Sequence, residues 1–110
     1  MSGPRRLSGT PEAPSPAALE PIWFVEATYA PDAAETRTPF RAEHLAGVVA
    51  RLDAGLYVDV GAFLDVSSSV LLVRADGERA AIDLVSDDVY MRNGVWVEVR
   101  ARAFGLVKRS

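Results

Sequence analysis

Val95 to Phe104 reads VWVEVRARAF, with Val95, Val97, Val99, Ala101 and Ala103 on one side of an alternation and Trp96, Glu98, Arg100, Arg102 and Phe104 on the other. Side chains alternate faces along a strand, so a run with this period is an extended strand with one apolar and one mixed face. Such a strand is not stable by itself. It needs neighbours in a sheet and a layer over its apolar side, and the rest of the chain must supply both.

Three further segments read as strands. Ile22 to Ala30, IWFVEATYA, is rich in aromatic and branched residues and stops at Pro31 and Asp32. Tyr57 to Val66 alternates apolar with polar or small residues, and Ser67 to Ala75 follows after a short polar junction, the pattern of an antiparallel hairpin. Thr38 with Pro39 opens a stretch in which Leu45, Val48, Val49 and Leu52 recur at helical spacing up to Gly55. Glu78 to Ser86 carries Ala80, Ala81, Leu84 and Val85 at helical spacing, and a short turn of helix begins at Asp88 and ends at Asn93 and Gly94.

The order strand, helix, strand, strand, helix, strand predicts an α+β, ferredoxin-like βαββαβ domain, a four-stranded antiparallel sheet with two helices on one face. The uncovered face is expected to carry Phe24, Glu26, Tyr57, Trp96, Glu98 and Arg100 among others. That mixture is too aromatic for plain solvent and too charged for a core. Two such sheets packed face to face form a dimeric α+β barrel, so a homodimer, or a higher homo-oligomer of dimers, is expected.

Residues 1–21 hold five of the seven prolines together with Gly3, Gly9 and several serines, and read as a disordered Pro-rich tail before a single domain over 22–110. Arg5 and Arg6 are followed by no apolar run, so neither a signal peptide nor a membrane anchor is expected and the default location is cytoplasmic. Fifteen acidic against twelve basic residues give a net charge of -3, which disfavours nucleic acid and anionic lipid as partners. With no cysteine and one histidine, disulfides, thiolate nucleophiles and Cys- or His-rich metal sites are excluded. No GxGxxG or P-loop occurs, so no cofactor is expected, and Ser67, Ser68 and Ser69 lack the GxSxG elbow of a serine nucleophile.

His44 is the one imidazole, at the edge of the stripe that Leu45, Val48 and Leu52 define on the first helix. A half-buried imidazole performs general acid or base chemistry near neutral pH when a carboxylate orients it; otherwise it is a structural residue. Asp53 is a poor partner, because nine positions span about 13 Å of helix. Asp87 and Asp88 remain, one of which would instead cap the helix before Tyr90. Arg41, also placed along the stripe and partly buried, suits a substrate carboxylate or enolate, or a salt bridge to Glu43, Glu26 or Asp59. Tyr57, Trp96 and Phe104 are expected to line a cavity on or beside the open sheet face for an apolar or cyclic small molecule, or else to pack in a dimer.

Arg41 and His44-Leu45 on the first helix, Gly55 and Gly61 around the second strand, the block Asp88-Val89-Tyr90 with Gly94, and the ending Arg102-Ala103-Phe104 occur in an order and at intervals that resemble the YciI-related (YCII) family. The likeness runs from about Phe24 to Val107. Ala62, Val89 and Ala103 stand where that family usually has proline. The resemblance implies a dimeric α+β barrel and a histidine and aspartate pair tied to enzymatic activity, which falls on His44 and Asp88. On this basis one expectation is a cofactor-independent lyase or isomerase, possible dehydrohalogenation included, with His44 moving a proton, Asp88 orienting it and Arg41 steadying an anion. The other is a noncatalytic small-molecule binder or accessory protein of a metabolic or biosynthetic pathway, using the same cavity.

Overall fold

A computed structural model describes residues 17–109. The elements are β1 (Ala17–Tyr29), α1 (Ala33–Thr36), a 3-10 turn (Thr38–Phe40), α2 (Arg41–Asp53), β2 (Tyr57–Ala62), β3 (Ser68–Val73), α3 (Glu78–Ser86), α4 (Val89–Arg92) and β4 (Trp96–Arg109). All strand pairs are antiparallel and lie in the order β2-β3-β1-β4. The helices pack on one side of this sheet, where Val48, Ala81, Val85 and Tyr90 close over Val25, Ala27, Leu71 and Val73. This is the ferredoxin-like arrangement the element order implies.

Boundaries differ where tertiary pairing extends or shortens a local pattern. β1 begins at Ala17, ahead of Ile22, because β4 continues beyond Phe104 and pairs with it until Ala17 lies opposite Arg109. The end of the expected tail is therefore strand, while residues 1–16 lie outside the described residues. The hairpin strands are shorter than expected, with 63–67 forming the turn. In it the Phe63 N–H donates to the Ser68 carbonyl at 2.9 Å and the Asp65 carboxylate accepts from the Ser67 N–H at 2.9 Å. Val66 adopts φ 59° there, a conformation that a β-branched residue takes only under tertiary constraint. The first helix is divided, with Pro39 in the 3-10 turn and α2 starting at Arg41.

Two glycines aim the chain from helix into strand. After α2, Gly55 has φ 78°, its N–H reaches the Leu52 carbonyl and the Leu56 N–H reaches that of Arg51. After α4, Gly94 has φ 72° and the Val95 N–H reaches the Tyr90 carbonyl at 2.9 Å. Both are Schellman endings, which need the left-handed backbone that glycine adopts without a Cβ clash.

The face assignment of two aromatic residues departs from simple alternation. On β4, Trp96 pairs with Tyr29 and Glu98 with Thr28, so Val97 is an extra residue without a partner on β1. On β2, Tyr57 pairs with Val73 and Asp59 with Leu72, which leaves Val58 as the extra residue. One inserted residue reverses the phase of everything on its far side. Tyr57 and Trp96 are thereby turned off the open face, where strict alternation placed them, and into the helix-covered core at 2% and 1% exposure.

Candidate active site

α2 packs with a different face from the one its leucines suggest. His44 and Val48, one turn apart, are its buried residues, whereas Leu45 and Leu52 are 45% and 38% exposed. Those leucines line instead a cavity of about 360 Å³ between α2 and the β2–β3 hairpin, together with Val60, Phe63 and Val66. His44 is thus at the centre of the buried line, on the cavity side of the core.

The imidazole is fixed on every side the structure shows. Its Nδ1 lies 2.9 Å from both oxygens of Asp88. Tyr90 stacks parallel on it, with ring centroids 3.8 Å apart and planes 6° apart, and Trp96 meets it edge-on at 5.4 Å. Asp88 has an extended backbone as the N-cap of α4, and its Oδ1 also accepts from the Tyr90 N–H at 2.8 Å. The capping role and the histidine-pairing role, which the sequence left as alternatives, belong to the same carboxylate. A carboxylate that already accepts from one N–H and flanks Nδ1 with both oxygens is an acceptor, so Nδ1 carries the ring proton. No hydrogen bond engages Nε2 among the described residues, and His44 is among the residues that line the cavity.

Asp87 is separate from this arrangement, being exposed and paired with Arg51 at 3.1 Å. Val89, where the resembling family has proline, occupies the first position of α4, is buried at 5% exposure, and leaves the Asp88 cap intact. Arg41 lines the same cavity, but it is exposed and not partly buried, because it is the first residue of α2 and stands at the cavity mouth. None of the three expected salt bridges of Arg41 forms: Glu43 pairs with Arg92 at 3.7 Å, Glu26 with Arg100 at 2.8 Å, and Asp59 has no ion pair among the described residues.

Tyr57 and Trp96 lie behind the dyad and do not line the cavity, while Phe104 is on the opposite face, its ring 6.0 Å from that of Phe24. Burial pushes the Tyr57 phenol up to about 12; the Arg51 charge works against this and the carboxylates of Asp88 and Asp87 add to it. The hydroxyls of Tyr57 and Tyr90 and the indole N–H of Trp96 are buried without a hydrogen-bond partner among the described residues. Residues without an assigned role in the sequence reading complete the cavity: Arg37 at its mouth, Tyr90 in its wall, and Tyr29, whose hydroxyl accepts from the buried Ser69 Oγ at 3.1 Å. A second depression of about 410 Å³ borders β4 near Phe24, Glu26, Arg100 and Arg102, but its Glu26 and Arg100 already neutralise each other. Among the described residues no three His, Asp or Glu side chains gather as metal ligands, and no helix is long and apolar enough to cross a membrane.

The YCII-related domain matches residues 22–105, a span that includes both His44 and Asp88, and the chain belongs to that family. Among solved structures it is similar to 5-chloro-2-hydroxyhydroquinone dehydrochlorinase (TftG) from Burkholderia phenoliruptrix AC1100 in complex with 2,5-dihydroxybenzoquinone. The identity is 19%, the TM-score 0.59, and the likeness covers 81% of this chain and 92% of that one. The search of curated proteins finds no match.

Proposed function

We propose that the protein is a cofactor-independent enzyme of the lyase or isomerase type, in which His44 transfers a proton to or from a small cyclic compound. The observation that carries this is the geometry at His44, with Nδ1 committed to Asp88 at 2.9 Å and His44 among the residues that line a cavity with apolar sides and guanidinium groups at its mouth. With Nδ1 protonated, Nε2 holds the lone pair and is free to take a proton from a bound C–H or O–H. Asp88 stabilises the imidazolium that forms, and the parallel Tyr90 ring adds an electron-rich face to that cation. Arg41 meets the negative charge that develops on the substrate.

Two outcomes are open to the resulting anion. Return of the proton to a second carbon is isomerisation. Expulsion of a halide, which leaves with its bonding pair as the new double bond forms, is dehydrohalogenation, and the proton then passes from His44 to water. The second is favoured by the likeness to a dehydrochlorinase that holds a quinone. The open sheet face suits a homodimer, since Phe24, Val70 and Leu72 are only half-buried there. Sedimentation at tens of micromolar is expected to show twice the 11.8 kDa chain mass; monomer alone contradicts the dimer.

The test is chloride release and ring-proton exchange in deuterated water with a panel of chlorinated and unchlorinated hydroxyhydroquinones. Turnover is expected to fall by about 100-fold or more in His44→Ala while ligand binding is retained. Turnover unchanged in that variant removes His44 from the chemistry, and ligand binding without turnover by wild type leaves a noncatalytic binding protein.

A further inference from the structure

Tyr90 has more to do than hold the imidazole. Its N–H fixes Asp88 and its ring lies on His44, yet its hydroxyl is buried, at 1% residue exposure, without a partner among the described residues. A buried hydroxyl left unpaired is destabilising, and a bound acceptor would remove that penalty. Tyr90 lines the cavity together with Arg37 and Arg41. Among the described residues neither arginine has a carboxylate partner, whereas Arg51, Arg74, Arg79, Arg92 and Arg100 each have one. Asp59 is the one acidic side chain in the wall, so the cavity carries an excess of positive charge in a chain of net charge -3. Burial raises the Tyr90 phenol and Tyr29 adds to this, while the charges of Arg41 and Arg37 and the approach of Arg41 as a donor to the phenol oxygen oppose it, so near neutral pH the hydroxyl keeps its proton and has it free to donate.

We infer that Tyr90 Oη and the guanidiniums of Arg37 and Arg41 form a subsite for one anionic oxygen group, a carboxylate or an enolate or phenolate oxygen, on a ring compound whose apolar body lies against Leu45, Val48 and Phe63. The inference rests on the proposed use of this cavity as the ligand site, and it makes Tyr90 and Arg37 determinants of which ligand enters. A donor and two cations around one oxygen discriminate an anion from its neutral isostere, because the neutral form leaves the guanidiniums without a countercharge.

Benzoate and benzamide are suitable probes, one charged and one neutral with the same ring, titrated against the full chain by NMR at the single imidazole and by calorimetry. Wild type is expected to bind benzoate at least about tenfold tighter than benzamide. Tyr90→Phe, which keeps the stacked ring and the backbone N–H, and Arg37→Gln are each expected to remove about tenfold of benzoate affinity and to leave benzamide unchanged. Equal binding of the two probes by wild type, equal losses for both in the variants, or no perturbation of His44 by benzoate overturns the subsite. Turnover that depends on His44 without a preference for benzoate defeats the subsite alone. A benzoate preference without any His44-dependent turnover preserves the subsite and defeats the catalytic function.

Discussion

On the helix-covered side of the sheet the polar groups are buried and immobilised, whereas on the open side they form ion pairs within reach of water. The covered side holds His44 at 8% exposure and Asp88 at 5%, with the imidazole against Tyr90 and Trp96. The open side holds Glu26, which accepts from Ser68 Oγ at 2.9 Å and from Arg100 at 2.8 Å. The same strands supply both faces. The single extra residues, Val58 on β2 and Val97 on β4, send the large aromatic side chains to the covered side. The ion pair of the open face neutralises itself, while on the covered face the His44 Nε2 and the Tyr90 phenol, both on cavity-lining residues, have no hydrogen-bond partner among the described residues. The proposed chemistry therefore lies on the side that strict alternation would have left without Tyr57 and Trp96.

Truncation sharpens the difference most. Trp96→Ala, on the covered side, is expected to lower unfolding free energy by about 3–5 kcal/mol in denaturant titrations, because it empties the space beside His44. Phe104→Ala, on the open side and 39% exposed, is expected to cost the isolated chain less than about 1.5 kcal/mol. Similar losses would break the distinction between the faces.

The adjacent carboxylates come next. Asp88→Ala removes both the helix cap and the partner of a buried imidazole, with an expected loss of about 3 kcal/mol. Asp87→Ala removes one exposed bridge to Arg51 and is expected to cost less than about 1 kcal/mol in the same titration.

The smallest effect is on alkaline stability. Tyr57 ionises near the ordinary 10 when unfolded and at about 12 when folded. Below pH 10 both states hold the proton and stability is flat; between 10 and 12 the unfolded state binds fewer protons, so stability falls as pH rises. The fall approaches about 2–3 kcal/mol at pH 12. Unfolding followed from pH 9 to 11.5 is expected to be flatter in Tyr57→Phe than in wild type, and identical slopes would place Tyr57 outside the buried network.

The element order was legible from the sequence because it depends on local periods, alternation in Val95–Phe104 and helical spacing in Glu78–Ser86, and on glycines at 55 and 94 that end helices. Residue phase was not. Whether Trp96 faces helices or solvent depends on Val97 being skipped by β1, a matter of pairing between distant strands that leaves no mark in composition. His44 and Asp88 could be singled out from the scarcity of imidazole and from family resemblance, but the double role of Asp88 needed the turn of α4 in place. Leu45 and Leu52 look like core because the helical period cannot tell a face that meets a sheet from one that meets a cavity. Arg37 gave no signal beyond its residue type and Tyr90 only its place in the Asp88-Val89-Tyr90 block, since their convergence comes from segments more than a helix apart in the chain.

The most direct measurement uses the fact that the chain has one histidine. Long-range proton and nitrogen-15 correlation on the neutral imidazole reports which ring nitrogen holds the proton. The expected result is the Nδ1–H tautomer, with that proton slow to exchange and Nε2 responding when a ligand enters the cavity. An Nε2–H tautomer, or an imidazole averaging between the two forms in the intact protein, contradicts the His44 and Asp88 arrangement and the proton transfer built on it.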